Sequence, residues 1–421
     1  MARTFERSTY LLLTGVTVGL LAGVFLDRLL GSDEWRLFQS VRRLARESFV
    51  EEVDDQQLFH DSLRGMIAGL DRHSRFYTPE QVAALDRETS GEFHGIGVVF
   101  RSSASVGQIL FAYPDSPAER AGLGVGDRIV AIDGALLETM EPGELQDSMQ
   151  GRTSLVLSIE GLDGAARQVT VHPESVVDPS VRHAELLDAA RGVGYLAILS
   201  FSHRTASEFD AALARLDAEG LERLIIDLRG NPGGILEAAV AIANRFVAEG
   251  PLVLTETRAG TRIDVADPER ATHVGLPLVL LVDENSASAS EVLAGCLQDY
   301  GAAVLIGDPT YGKGTVQTLN RIEAKNVVVK LTTAVYYTPL LRRIERDGDH
   351  PGLTPDVQLS ATATERRRVY RYLGRYTVPD ESLAAIRTWE ATLGEALLQT
   401  APADQQLELA LDLLTDALAA R

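Results

Sequence analysis

The run NSASASE at 285–291 is placed for acyl chemistry: it follows an apolar stretch at 276–282 and opens a helical pattern that reaches about residue 300. A hydroxyl there would sit beside unpaired backbone N–H groups, at the positive end of a helix dipole. A developing oxyanion would find its donors ready. The same letters have a plainer meaning, because Ser288-x-x-Glu291 is also a helix capping box. A nucleophilic serine needs a base, most often histidine. The eight histidines (60, 73, 94, 172, 183, 203, 273 and 350) show no HExxH spacing and no evident pairing with Ser288. The other candidate is Lys313, in the glycine-flanked turn YGKG at 311–314. A lysine serves as a base only where burial holds it neutral. Gln317, four residues on, would share its face in an extended strand, where its amide could orient the amine without ionising. The plain reading of Lys313 is an exposed turn lysine. A third constellation, DLRGNPGG at 227–234, has three glycines and a proline after an apolar strand. Such a loop lets backbone N–H groups point into a site, or it is simply a tight strand-to-helix turn.

Two look-alikes fail on their neighbours. GDPTYGK at 307–313 has P-loop spacing, but Gly314 stands where a Ser or Thr would hold magnesium. The TVQTL that follows has no helical stripe to turn its N-terminus toward a phosphate. GLGVG at 122–126 has the wrong spacing for a dinucleotide fingerprint and opens a strand. No metal, nucleotide or other cofactor is implied.

These motifs need elements to hold them. From about residue 192 the chain alternates: strand 193–199, helix 206–216, strand 221–228, helix to 247, strand 276–282, helix to about 300, strand 302–307. That alternation predicts an α/β core. Residues 327–337 read as β, and the last ~45 as helical with a charged face opposite a Leu/Ala stripe. Residues 33–90 read as helices. From Gly91 to about 175, short apolar runs cut by turns predict strands at 109–113, 128–132 and 154–159.

The N-terminus speaks to compartment. Residues 10–26 carry no charge, with Arg3 and Arg7 before them and Asp27 and Arg28 after. Seventeen residues just span a hydrocarbon core, and the basic side should stay in the cytoplasm. A cleaved signal peptide is the alternative, though no clean A-x-A site precedes Asp27. The 421 residues hold 40 Lys and Arg against 60 Asp and Glu, a net charge of −20, which argues against nucleic acid as a partner. A single cysteine, Cys296, excludes an intrachain disulfide.

Together, DLRGNPGG, NSASASE…AGCLQDYG and GDPTYGKGTVQ resemble the carboxy-terminal processing (tail-specific) serine peptidases. So do LDRHSRFY at 70–77, with Arg72 where that family usually has proline, and LTTAVYYTP and LTPDV near the end. GIGV at 95–98 and SPAERAGLGVGDRIVAIDG at 116–134 are similar to the family's PDZ domain. The resemblance spans roughly 35–359. One departure, LLRRI at 340–344 against a Ser-Gly-Arg-Ser-Ile-like run, touches the substrate rim.

The resemblance implies a crotonase-like α/β protease core with an inserted β-rich PDZ domain, a helical N-terminal region and a helical C-terminal tail. The parts would be 1–30 (anchor or signal), 31–90 (helical), 91–176 (PDZ), 177–360 (core) and 361–421 (tail). It makes Ser288 the nucleophile, Lys313 the general base and Gln317 its positioner. Backbone N–H groups of Gly234 and Ala289 become the oxyanion hole, with Asp299 supporting from eleven residues along the helix. Gly95, Ile96, Gly97 and Val98 would hold a substrate's terminal carboxylate. Partners would be proteins or peptides with free C-termini, and the membrane through the N-terminal segment; a homo-oligomer or an adaptor protein stays open. The body would lie in the periplasm or another extracytoplasmic space, or be secreted if the segment is cleaved. Rival readings are a catalytically silent, membrane-anchored PDZ scaffold and an acyl-transfer enzyme of the same core acting on a thioester. An intact Ser288, Lys313 and Gln317 set disfavours the first; the PDZ-like segment disfavours the second.

Overall fold

The computed structural model describes residues 33–101, 107–139, 152–345, 352–374, 378–394, 396–397 and 401–416. The uncharged run at 10–26 lies outside them. Among the described residues no helix is long and apolar enough to cross a membrane.

The chain divides into two compact units. The smaller takes in residues to Thr78 and 319–331. Helices Asp33–Ser48 and Asp55–Ala68 form there as expected, the second capped by Asp54, whose carboxylate accepts from the N–H groups of Gln56 and Gln57. One strand interrupts the helices expected over 33–90: Arg75–Tyr77, antiparallel to 328–330. Phe76, Ile67 and Val327 pack together beneath it. Three residues are too few to show a strand's alternation.

The larger unit is built on a six-stranded sheet in the order Val181–Asp188, Val193–Ile198, Arg223–Asp227, Leu278–Val282, Val304–Gly307, Val357–Gln358. The first pair is antiparallel and the rest are parallel. Successive strand residues face opposite sides. Leu196, Leu224, Ile226, Leu280 and Leu305 meet helices Thr205–Glu219, Leu236–Phe246 and Ala289–Asp299. Tyr195, Ile225, Val279, Leu281 and Ile306 meet Val369 and Leu373 of helix Ala363–Leu373 and Ala410 and Leu414 of helix Gln405–Asp416. Both faces are covered over the four central strands, which therefore read as largely apolar runs.

The β-rich segment has its own core. Leu155, Leu157 and Ile159 point inward from strand Leu155–Glu160 and pack with Ile96, Ile109, Ala118 and Ile129. Helix Asp380–Leu393 lays Ile386 against Phe111, Tyr113 and Val176 of this segment.

Candidate active site

Two loops leave neighbouring parallel strands, Arg223–Asp227 and Leu278–Val282, at their carboxyl ends. That edge of an open parallel sheet is where ligand sites form. Asp283 joins the loops: its carboxylate accepts from Gly230 N–H (3.0 Å) in one and Asn285 N–H (3.0 Å) in the other. Burial pushes this carboxyl up, against bonds from Tyr370 and those amides. Two of the three alternating serines complete the suture. Ser286 Oγ donates to the Leu228 carbonyl (2.8 Å) and Ser290 Oγ to that of Asn231 (3.0 Å), and both serines are fully buried. Only Ser288 is left half-buried, with no hydroxyl bond to that loop.

Ser288 stands at φ 59°, ψ −115°, a backbone state that side-chain-bearing residues rarely adopt and one that is typical of strained functional turns. The opposite loop approaches it closely. A methyl on Gly233 would lie 2.7 Å from Ser288 Cβ and 2.9 Å from Ala289 N. Ala289 is the first residue of its helix, so its N–H has no partner within the helix. Gly234 forms a parallel bridge with Phe201 whose two bonds use the carbonyl of Gly233 and the N–H of Ile235. The Gly234 N–H is therefore left over.

Glu291 connects this serine to Lys313. Its buried carboxylate accepts from four donors: Ser288 N–H (2.8 Å), Lys313 N–H (2.9 Å), Gly312 N–H (2.7 Å) and Thr310 Oγ1 (2.6 Å). Ser288 N and Lys313 N share one oxygen, so the two backbones lie no farther apart than those two bonds end to end. Burial pushes the Glu291 carboxyl up, and the four donors pull it back. Gly352 closes over the carboxylate; a Cβ there would fall 2.3 Å from Oε1. Lys313 is half-buried, not an exposed turn lysine. Beneath both stands Tyr336, fully buried, its hydroxyl donating to the Lys313 carbonyl and hydrogen-bonded to the Ser288 side chain. Burial keeps that phenol neutral by pushing it well above its ordinary range. Gln317 spends its amide nitrogen on Thr315 Oγ1 (2.9 Å) and Thr332 Oγ1 (3.3 Å).

Residues 192–359 match the family model of Peptidase family S41, and residues 110–160 match that of the PDZ domain. The carboxyl-terminal-processing protease of Synechocystis sp. is 32% identical over 404 residues, 94% of this chain and 84% of that protein. The chain belongs to peptidase family S41. Similar relatives include the carboxy-terminal-processing protease of Bartonella bacilliformis, 30% identical over 79% of this chain and 76% of that one. The chloroplastic C-terminal processing peptidase of Tetradesmus obliquus is 32% identical over the same shares.

In this S41 peptidase the remaining expected residues lie elsewhere. Asp299 ends the helix that Ser288 begins, about 16 Å along its axis at 1.5 Å per residue. Its carboxylate takes the Leu340 N–H (2.8 Å) and pairs with Arg342, so it holds the 338–342 turn and makes no described bond to Ser288 or Lys313. Gly95 ends strand Glu92–Gly95, Ile96 is buried in the β-rich core, and Val98 begins strand Val98–Phe100. Gly97, at φ 78°, faces Ser116, with room for no Cβ. The carbonyls of Ile96 and Gly97 accept from Ala118 and Tyr113. Cys296 is buried, its thiol pushed up to about 12, which makes it no nucleophile. Reading by sequence missed Asp283, Tyr336 and Thr310, and saw Glu291 only as a cap.

Proposed function

We propose that this S41 peptidase cleaves proteins at or near their C-terminal tails with a Ser288/Lys313 dyad. The Glu291 carboxylate shared between the backbones of those two residues is the observation that carries the reading. Neutral Lys313 takes the Ser288 proton as Oγ attacks the scissile carbonyl carbon. The resulting oxyanion is held by the N–H groups of Gly234 and Ala289. Lys313 then hands the proton to the leaving amine, and the acyl chain stays on Ser288. A water, deprotonated by Lys313, attacks the ester and frees the acid and Ser288. The amide nitrogen of Gln317 is committed to Thr315 and Thr332, which leaves its carbonyl oxygen to accept from the lysine amine. Asp299 supports the substrate rim through Leu340 and Arg342.

The substrate's terminal carboxylate binds the N–H groups of the 95–98 loop, and its chain adds beside strand Val98–Phe100. The working division is 1–30 anchor or signal, 31–90 helical region, 91–176 PDZ, 177–360 core and 361–421 tail, with the body on the extracytoplasmic side of a membrane.

The test is proteolysis of an unfolded, casein-like protein. Ser288→Ala and Lys313→Ala should each abolish it with folding intact, because the pair acts as a unit. Lys313→Arg should also fail, since a guanidinium keeps its proton. Full turnover by either Ala variant refutes the dyad. A wild type that binds tails and never cuts them would favour a silent PDZ scaffold. A peptide with a free terminal carboxylate should bind better than its amide; equal binding refutes the role of the 95–98 loop.

A further inference from the structure

The two site loops are gripped from behind by a part of the chain outside the matched S41 region. Helix Ala363–Leu373 turns Tyr370 toward them. Its hydroxyl donates to Asp283 Oδ2, the carboxylate that ties Gly230 to Asn285, and accepts from Asn285 Nδ2 (2.8 Å). The Tyr370 ring lies against Gly230, at φ 72°, where a Cβ would fall 3.0 Å from it. One turn earlier, Arg366 pairs with Glu284 of the serine loop. The second grip is ionic. Arg229 is clasped between Asp227, which ends the preceding strand (Nη2 to Oδ2, 2.6 Å), and Asp404 (Nη2 to Oδ2, 2.6 Å; Nη1 to Oδ1, 2.9 Å). Gln406 takes Nη1 as well (2.9 Å). Asp404 also accepts from the N–H groups of Gln406 and Leu407 at the start of helix Gln405–Asp416, so it is fixed on its own side. The Arg229 side chain is 4% exposed and that of Asp404 10%. A buried bidentate pair of this kind fixes geometry more than it adds stability.

We propose that Tyr370 and Asp404 are positioning residues: the C-terminal tail holds the 228–234 loop from behind, so that the Gly234 N–H stays aimed at the oxyanion forming on Ser288. This rests on the oxyanion-hole reading above. Gly234 is four positions beyond Gly230, which Tyr370 touches, and φ is positive at Gly230, Gly233 and Gly234. Glycines of that kind hold a shape only if neighbours impose it.

The test uses the full chain with two conservative variants. Tyr370→Phe removes one oxygen and keeps the ring on Gly230. Asp404→Asn keeps the shape and removes the charge facing Arg229. Each should lower kcat roughly tenfold, short of the ~100-fold cost of losing an oxyanion donor outright. KM should stay within about twofold, because only the transition state is affected. Affinity for a peptide aldehyde, whose adduct places an oxyanion in the hole, should fall by the same factor as kcat. Peptide binding to the same variants on a Ser288→Ala background should not change. Amide hydrogen exchange across 229–234 should quicken in both. A purely structural role would reduce active enzyme without changing aldehyde affinity per folded molecule. Wild-type kcat, aldehyde affinity and exchange in both variants would overturn the proposal. Should Ser288→Ala keep full proteolysis, the dyad reading falls instead, and the exchange of 229–234 still decides whether the tail holds the loop.

Discussion

Glu291 is the residue on which the site's geometry depends most. In Glu291→Ala four donors lose their acceptor together: the N–H groups of Ser288, Gly312 and Lys313, and the Thr310 hydroxyl. An unsatisfied buried donor costs about 1–3 kcal/mol, so four set an upper range of roughly 4–12 kcal/mol. Movement of the 310–314 loop and entry of water should bring the loss toward the lower end. Glu291→Gln separates the contributions. The carboxylate's two oxygens serve different donors, Oε2 taking Ser288 and Lys313, Oε1 taking Gly312 and Thr310. The amide can turn its oxygen to the first pair and its nitrogen to the second. The Thr310 oxygen, which already accepts from the Leu353 N–H, can take the amide as a second donor by turning its own proton away, which leaves the Gly312 N–H and the Thr310 O–H without that acceptor. Two donors instead of four lose their acceptor, which predicts a loss of roughly 2–6 kcal/mol with the fold kept. Under the proposed Ser288/Lys313 dyad, turnover should fall further than stability, because a misplacement of about 1 Å between base and nucleophile costs on the order of 100-fold. Urea unfolding of each variant on a Ser288→Ala background, to prevent self-digestion, gives the stability change. Cleavage of an unfolded protein by the Ser288 forms gives the rate. Glu291→Ala with wild-type midpoint and rate would refute the reasoning. So would Glu291→Gln as damaging as Glu291→Ala, since the count of lost acceptors would then be wrong.

Gly233→Ala puts a methyl 2.6 Å from the Ala287 carbonyl at φ 95°, so kcat should drop on the order of 100-fold while urea unfolding shows the fold retained; normal turnover would mean the loops are looser than described. Ile386→Ala empties a fully buried position against Phe111, Tyr113 and Val176 and should cost about 2–5 kcal/mol, read by urea unfolding. His183 stacks on Tyr372 and bonds the Leu373 carbonyl; burial lowers its pKa, with Arg182 lowering it further and Asp227 opposing. A lowered folded-state pKa means that its contribution is complete above about pH 6.5, the unfolded value, and is lost as pH falls through the folded value. Unfolding midpoints measured from pH 8 to 5 should fall below about 6.5, and less steeply in His183→Gln; identical slopes would remove His183 as the cause.

The candidate site residues were legible because each announces itself locally. Alternating small residues before a helix, glycines bracketing a lysine, and a glycine-proline loop after an apolar strand are patterns within eight positions. The four central strands of the α/β core were legible for a related reason: buried on both faces, they are largely apolar, whereas the edge strands Val181–Asp188 and Val357–Gln358 carry no such run and were missed. Strand Arg75–Tyr77 was not legible either, since its pairing with 328–330 spans the chain and leaves no local trace. Asp299 shows the limit of periodicity. Eleven residues return a side chain to nearly the same helix face, but they also carry it three turns along, to the 338–342 turn.

Glu291 shows something different. Its letters spelled a capping box, and the capping bond to the Ser288 N–H is there. Read as a cap, Glu291 explains why a helix begins and predicts an ordinary serine before it. A surface cap needs only one oxygen, and water satisfies the other. This carboxylate is buried, so its remaining lone pairs must be met by protein. The donors that meet them come from residues 310–313, the turn that holds Lys313. Burial converts a local helix signal into a tether between the Ser288 loop and the turn of Lys313. The structural and the functional reading of Ser288-x-x-Glu291 therefore do not compete: the same two oxygens start the helix and bring the lysine to it. No pattern in the sequence distinguishes the exposed cap from the buried one, because the difference lies in what packs over Glu291, Gly352 above all.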